Sequence, residues 1–242
     1  MSISDNGLSM IWSKGYDRLA MRLATMIPNT PDSTVLEMGC GRGQLTLPLA
    51  SSLKGRIIAV DRSKRDVEML EEALRERGFD GRVETMAVDA CDIELEDGVV
   101  DAAVSNFFFG WIDEGKIRRV IQGQRRILKE GGVMLHSDFL PKAENQSQAV
   151  AIEQGRAVNN QDPSVKWWTP EELCTVIKHE GFLDINVFSF DWRIRFDYHM
   201  AARQLERWGA KKDFIRRKEG VLKAHGMELP KSYIVQARKP GV

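Results

Sequence analysis

The chain has 242 residues, 43% of them apolar, which is enough for one large domain with a buried core. No run approaches the roughly 18 apolar residues that cross a bilayer, and the opening MSISDNG lacks a basic and an apolar region, so we expect no membrane span and no signal peptide. Formal net charge is zero, and the three cysteines form no CxxC pair, which argues against a disulfide framework or a metal site and favours a reducing, cytoplasmic setting.

Short apolar strands alternate with helical patterns through the first part of the chain. A helical pattern covers residues 9–27, and the strands that follow are predicted at residues 35–37, 56–60, 82–88, 99–105 and 133–137. Between them, one helix is predicted at 44–53 and a second begins after the N-cap residue Ser63. A third is predicted at 117–128 and is expected to end at Gly131 and Gly132. This alternation is typical of right-handed βαβ units, which build a parallel sheet with helices on both faces.

Two segments interrupt this pattern in the second part of the chain. Residues 141–168 are polar with a helical middle, as expected of an insertion above the sheet. A helix restarts at residue 169, with Thr169 as N-cap, Pro170 at the first helical position and Glu172 completing a capping box. A strand at 182–190, a mainly helical segment at 197–225 and a last strand at 232–238 follow.

The helical segment near the end of the chain is basic. Between Arg193 and Lys239 there are 13 Lys and Arg residues against 5 Asp and Glu residues. Such an asymmetry indicates either an anionic partner or a solvated helical face.

Three glycines, Gly39, Gly41 and Gly43, lie between the first strand and the helix that follows it. Glycine accepts positive φ and lets a ligand approach the main chain. The start of the next helix offers free N–H groups and a positive potential, which suit an anion or a carboxylate. A glycine loop alone is a weak signal, and it is equally compatible with a tight turn.

Acidic residues at the ends of the first three strands make the loop more specific. Glu37, Asp61 and Asp89 each end a predicted strand, and the carboxyl ends of neighbouring parallel strands face one crevice. There Asp61 can accept hydrogen bonds from a ribose diol, Asp89 can meet an adenine amino group and Glu37 can hold an ammonium group. A ligand with all these groups is S-adenosylmethionine (SAM).

With these pieces in order, the chain resembles the class I SAM-dependent methyltransferases, of the small-molecule type (methyltransferase domains 11 and 25). The segments that carry the resemblance are VLEMGCGRG (35–43), IIAVD (57–61), AVDACD (87–92), VVDAAVSNFFFGWI (99–112), RRILKEGGVMLHSDF (125–139), WTPEELCTVIKHEGF (168–182) and SYIVQAR (232–238). The rival NAD-binding fingerprint has the spacing G-x-G-x-x-G, whereas this loop has G-x-G-x-G.

The resemblance implies an α/β fold: a Rossmann-like, doubly wound, three-layer αβα sandwich whose seven-stranded sheet has an antiparallel last strand, with helical lid insertions. A single methyltransferase domain would cover residues 1–242. Its expected parts are an N-terminal cap helix at 1–31, a SAM-binding core at 32–140, a lid insertion at 141–168 and a helical basic insertion at 190–230.

The resemblance also implies which residues hold the cofactor SAM and its product S-adenosylhomocysteine. The methionine end would be held by Tyr16, Glu37, Gly39, Cys40, Gly41 and Gly43, the ribose by Asp61, the adenine by Arg62, Asp89, Ala90 and Cys91, and the sulfonium side by Asn106 and Phe107. For Tyr16, packing of its helix is an equal alternative. No metal site is expected.

Methyl transfer from SAM is an in-line attack by an O, N, S or C nucleophile, which a protein assists mainly by alignment and by excluding water. Candidate substrate contacts are Phe108, Trp111, Trp167 and Arg195, with simple packing as the alternative for the aromatic residues. Asp138 and His199 are weak catalytic candidates. Many similar small-molecule enzymes have histidine where this chain has Gly110, so that position lacks a base or leaves space for a substrate.

Three functions are compatible with these motifs. The first is methylation of a small, possibly acidic molecule, held by Arg193, Arg195 or Arg203. The second is methylation of RNA, for which the basic segment would track phosphates; the zero net charge and the lack of an appended RNA-binding module disfavour it. The third is binding of SAM without catalysis, since a fold does not fix a function.

Overall fold

The computed structural model of this chain describes residues 3–159 and 166–241, so residues 160–165 of the predicted lid lie outside the description. The helices are α1 Ile3–Ala24, α2 Thr46–Ser52, α3 Lys64–Arg77, α4 Ile117–Ile127, α5 Gln146–Asn159, α6 Pro170–His179, α7 Tyr198–Arg207 and α8 Lys212–His225. The strands are β1 Thr34–Met38, β2 Arg56–Asp61, β3 Val83–Ala87, β4 Val100–Asn106, β5 Leu128–Phe139, β6 Leu183–Phe190, β7 Arg195–Phe196, β8 Met227–Glu228 and β9 Ser232–Arg238.

Seven strands form one sheet in the order β3-β2-β1-β4-β5-β9-β6. The pairs on either side of β1 are parallel, with Leu36 opposite Ile58 on one side and Ala103 on the other. The last strand, β9, runs antiparallel to both β5 and β6. The predicted fold class is therefore confirmed, and all the loops that follow β1, β2, β3, β4 and β5 meet at one edge of the sheet.

Side chains alternate across this sheet into two cores. On β1, Val35 belongs to the core beneath α1, α2 and α3, whereas Leu36 belongs to the core beneath α4 and α6. Both side chains are at most 1% exposed. A strand buried on both faces is the physical reason why the segment reads as a continuous apolar run.

Local capping signals in the sequence hold in the structure. The Ser63 hydroxyl accepts a hydrogen bond from Asp66 N, and Thr169 with Glu172 forms the complete capping box at the start of α6. The helix bounds were less accurate: the predicted helix at 197–225 is two helices, broken near Gly209, whose φ is +77°. Helix α4 ends at Ile127, four residues before the first of the two glycines expected to stop it.

The two predicted insertions pack onto the N-terminal helix and onto each other. Trp12 Nε1 on α1 donates to Gln204 Oε1 on α7 at 2.9 Å, and Gln154 Nε2 on α5 donates to the Trp208 carbonyl at 2.9 Å. The Arg18 guanidinium on α1 donates to the Trp192 carbonyl. These bonds hold α1, α5 and α7 together above the carboxyl ends of the strands. Of the described helices, none is both long and apolar enough to cross a bilayer.

Candidate active site

The loop after β1 contains three glycines, which are required for different structural reasons. Gly39, Gly41 and Gly43 have φ of +75°, +50° and +87°, a region that disfavours other residues. A Cβ on Gly39 would lie 2.7 Å from Phe108 Cδ2, so this main chain is bare where it faces the cavity described below. A Cβ on Gly43 would lie 2.5 Å from Leu70 Cδ1, so its missing side chain makes room for α3.

Two acidic side chains are fixed by main-chain donors at this edge. Asp61 Oδ2 accepts a hydrogen bond from Gly41 N and its Oδ1 accepts one from Ser63 N, both at 2.9 Å. Asp89 lies two residues beyond β3, and its Oδ1 accepts a hydrogen bond from Cys91 N at 2.9 Å. That bond lowers the pKa of Asp89. Both carboxylates are therefore hydrogen-bond acceptors held in one orientation by main-chain N–H groups.

Glu37 is a buried carboxyl with one oxygen unsatisfied. Glu37 is only 2% exposed, and its Oε2 atom has no hydrogen-bond partner among the described residues. Burial raises the pKa of Glu37 to about 7. The nearby Thr46 hydroxyl opposes this increase, and the charge of Asp61 adds to it. Burial and the neighbouring Glu37 charge also raise the pKa of Tyr16, so its hydroxyl lies close to this carboxyl. An unpaired buried carboxylate is costly, and a ligand ammonium group fits this place.

Asp61 and Asp89 border a first cavity of about 430 Å³, a volume in the range of cofactor sites. It is lined by six of the thirteen predicted cofactor residues: Gly39, Asp61, Arg62, Asp89, Ala90 and Phe107. The other seven predicted residues do not line it, and Tyr16 lines the second cavity instead. Cys40 is buried, Cys91 packs against the core and donates through its N–H to Asp89, and Asn106 Oδ1 accepts from Ser137 Oγ at 2.6 Å.

A second cavity, of about 680 Å³, lies beneath the inserted helices. Its walls come from α1, the turn after β4, the end of β5, α5 and α7, and they are mostly apolar. The two cavities share the residues Phe107 and Trp111. Phe107 has φ +51°, a strained value for a non-glycine residue, and its N–H donates to the Ser137 carbonyl at 2.9 Å. The strained residue thus stands at the boundary between the cavities.

Asp138, at the end of β5, lines the second cavity. Its Oδ1 accepts a hydrogen bond from Phe139 N at 2.7 Å, and burial raises its pKa to about 7. His136 Nε2 lies 3.9 Å from Asp138 Oδ2, but burial lowers the pKa of His136 to about 3, so this imidazole is neutral. His136 Nδ1 instead shares a 2.9 Å hydrogen bond with Ser105 Oγ. Asp138 is therefore positioned as a carboxyl that titrates near neutral pH.

The predicted substrate residues separate into three groups. Trp167 lines the second cavity, and its Nε1 donates to the Phe139 carbonyl at 2.8 Å. Trp111 is 57% exposed and lines both cavities, so it is not a packing residue of the adjoining helix. Of the two cavities, Phe108 lines the first only, where its ring lies against Gly39.

Two further predicted residues, Arg195 and His199, line neither cavity. Arg195 lies outside both cavities, because its guanidinium donates to Glu228 Oε2 at 3.0 Å on the surface. His199 is exposed on α7, against the ring of Tyr198, and lines neither cavity. Arg193 and Arg203 also line neither cavity.

Sequence reasoning missed most of the second cavity. Trp12, Phe139, Lys166, Gln204 and Trp208 contribute to its wall although they are far apart in the chain. The only local signal was the clustering of aromatic residues near insertions. Their convergence depends on how α1, α5 and α7 pack, which no motif records.

Comparison with known proteins supports the reading of the first cavity. Residues 35–132 match a family model described as a methyltransferase domain. A sarcosine/dimethylglycine N-methyltransferase of Halorhodospira halochloris is 31% identical over 108 residues, which cover 45% of this chain and 38% of that protein. A tRNA N(3)-methylcytidine methyltransferase, Mettl2, of Drosophila melanogaster is 31% identical over 128 residues, covering 47% and 38%. The matched region is thus well under two thirds of either relative.

Similarity in fold extends over nearly the whole chain. The crystal structure of the [4+2]-cyclase SpnF has a TM-score of 0.67 at 21% identity and covers 93% of this chain and 82% of its own. The sheet order, the glycine loop and the family match over residues 35–132 agree with the predicted resemblance to the class I SAM-dependent methyltransferases. The predicted resemblance, the methyltransferase class and SAM as the cofactor of that class are confirmed.

Proposed function

We propose that this chain transfers the methyl group of SAM to a nucleophilic atom of a small molecule bound in the second cavity. The observation that carries the proposal is the wall shared by the two cavities, formed by Phe107 and Trp111. A donor in the first cavity and an acceptor in the second would meet there, which is the juxtaposition that methyl transfer needs.

The first cavity, together with Glu37 and Tyr16 outside its lining, has the groups to hold SAM. Asp61 would accept hydrogen bonds from the ribose hydroxyls, Asp89 would face the adenine amino group, and Glu37 with Tyr16 would lie at the methionine end. When bound, SAM supplies an electrophilic methyl group on a sulfonium. The rings of Phe107 and Trp111 would exclude water from the reacting atoms, and the aromatic wall of the second cavity would orient the acceptor.

Methylation of RNA is the second candidate, because one matched relative is a tRNA methyltransferase. The basic segment supports it poorly. At least seven of its Lys and Arg side chains lie within 4.0 Å of a carboxylate, which offsets their charge: Arg195, Arg216, Lys218, Lys223, Lys231, Arg238 and Lys239. A cavity roofed by helices and lined by aromatic rings also suits a small acceptor better than a polynucleotide.

A labelled-methyl assay separates these functions. Purified protein is incubated with methyl-labelled SAM and either a metabolite extract or total RNA, and the label is followed into each fraction. We expect label in small molecules and release of S-adenosylhomocysteine. Label in RNA alone would overturn the choice of substrate class, and tight SAM binding without turnover on either pool would leave a SAM-binding protein without catalysis.

A further inference from the structure

Among the described residues that line the second cavity, Asp138 is the one acidic residue. Asp138 is 8% exposed and lies at the end of β5, a strand in the middle of the sheet. A rigid, buried carboxylate facing an otherwise mostly apolar cavity is unfavourable unless a partner or a proton compensates its charge.

No lysine or arginine among the described residues forms an ion pair with Asp138. Lys166 lines the same cavity, but its Nζ lies 3.1 Å from Glu114 Oε1 and 3.3 Å from Glu172 Oε1, so its charge is already balanced. Arg207 also lines the cavity and is itself engaged in an interaction. The neighbouring His136 is neutral. The counter-charge for Asp138 is therefore left to a ligand.

Gly110 opens Asp138 to the cavity. A Cβ at this position would lie 3.8 Å from Asp138 Oδ2 and 3.3 Å from the Lys166 carbonyl. A larger side chain here would cover the carboxylate or displace Lys166. The glycine thus leaves Oδ2 accessible, whereas Oδ1 is occupied by the N–H of Phe139.

Aromatic rings surround the remaining space. The cavity is lined by the rings of Trp12, Phe107, Trp111, Phe139, Trp167 and Trp208. Ring faces attract cations, by about 2 kcal/mol or more where water is excluded. A carboxylate surrounded by tryptophan rings can bind a substituted ammonium group.

We propose that the second cavity binds a small organic cation, an alkylammonium group whose charge is balanced by Asp138 and enclosed by the surrounding rings. This rests on the proposed function and narrows its substrate class to molecules that carry an alkylammonium group. The attacking atom is either a separate nucleophile of the same molecule or, for an amine, the nitrogen after its proton has passed to the Asp138 carboxylate. It replaces the acidic substrate predicted from Arg193, Arg195 and Arg203.

The affinity for such a cation should increase with pH through about 7, as Asp138 ionises. The groups that face Asp138 keep one charge state between pH 5 and pH 8. His136 stays neutral, the hydroxyls of Tyr16 and Tyr233 have raised pKa values and stay neutral, and Lys166 has a raised pKa and stays cationic. Arg207 also lines the cavity. Glu37 titrates in the same range but borders the methionine end of the cofactor site, so an Asp138 variant is needed to assign the effect.

The test compares two probes of equal shape and different charge. Choline and 3,3-dimethylbutan-1-ol are titrated into protein saturated with S-adenosylhomocysteine, and binding is followed by tryptophan fluorescence and calorimetry. We expect choline to bind at least about 10-fold more tightly than the neutral alcohol at pH 8. Asp138→Asn should remove most of this preference and the pH dependence, while the control Asp184→Asn, on an exposed residue of β6, should retain both.

The outcomes separate the two proposals. Equal affinity for the two probes, or a preference that survives Asp138→Asn, overturns the cation site even when S-adenosylhomocysteine binds normally. Absence of S-adenosylhomocysteine binding in the folded wild-type protein instead overturns the proposed function. Circular dichroism and S-adenosylhomocysteine affinity show whether Asp138→Asn is folded, and Gly110→Ser offers a second variant, expected to weaken choline binding and leave the cofactor affinity unchanged.

Discussion

The two cavities of this molecule are built in different ways. The first is made largely by main chain and short acidic side chains within loops that directly follow β1, β2 and β3. The second is made by side chains from α1, α5, α7 and strand ends that lie up to about two hundred residues apart, as in the Trp12–Gln204 hydrogen bond. The chemistry that all members of a class share is thus encoded locally, whereas the acceptor site depends on long-range packing.

The largest expected effect is on the first cavity. Asp61→Ala removes the acceptor for Gly41 N and Ser63 N together with the proposed ribose contact, so SAM affinity should fall by about 1,000-fold, or about 4 kcal/mol. Calorimetry with SAM measures it. The control Glu68→Gln, on an exposed residue of the adjacent helix α3, should bind SAM normally. Near-normal affinity of Asp61→Ala would remove this residue from the cofactor site.

A second comparison tests whether Gly39 is needed for space as well as for conformation. Gly39→Ala introduces a Cβ 2.7 Å from Phe108 at φ +75°, whereas Gly98→Ala meets no atom within 4 Å at φ +67°. We expect destabilisation of about 3 kcal/mol for Gly39→Ala and about 1 kcal/mol for Gly98→Ala. Urea unfolding gives both values, and equal losses would show that backbone strain alone explains the glycine.

The Asp138 carboxyl should make the stability of the unliganded protein depend on pH. Its pKa is raised to about 7 in the folded state, so the folded protein binds more protons than the unfolded chain, and stability falls as pH rises from about 4 to about 7. Asp138→Asn should therefore match wild type at pH 4 and exceed it at pH 8 by on the order of 2 kcal/mol. Denaturant titrations at both pH values measure this difference. If Asp138→Asn were less stable than wild type at pH 8, the idea that the Asp138 carboxylate lacks a counter-charge in the folded protein would be contradicted.

The smallest effect concerns the wall of the second cavity. Gly155→Ala on α5 places a Cβ 2.6 Å from Trp167 Cζ3, whereas Gly123→Ala on α4 meets no atom within 4 Å. The control should gain about 0.5–1 kcal/mol from helix propensity, and Gly155→Ala should fall below it by about 1 kcal/mol through crowding. Tryptophan fluorescence should change in Gly155→Ala alone, with S-adenosylhomocysteine affinity unaltered. Reduced cofactor affinity would show that the two cavities are not independent.

Much of the fold and the cofactor side followed from short patterns. The glycine loop, Asp61, Asp89 and the Thr169 capping box each depend on residues a few positions apart, and the structure places all of them as their local chemistry requires. The ion pair of Arg195 and the exposure of His199 could not be predicted, because residue type alone reveals neither an ion-pair partner nor exposure. Glu228, the partner of Arg195, lies 33 residues further along the chain.

The sequence by itself determined the alternation of strands and helices, the bare loop at residues 39–43 and the acidic residues that follow it, because each is a local consequence of backbone conformation and hydrophobic period. Tertiary structure decided which aromatic rings face one another, that Asp138 pairs with no lysine or arginine of residues 3–159 and 166–241, and that Gly110 leaves it accessible. The physical reason is that burial and counter-charge are properties of the packed environment, which brings together groups that the chain keeps far apart.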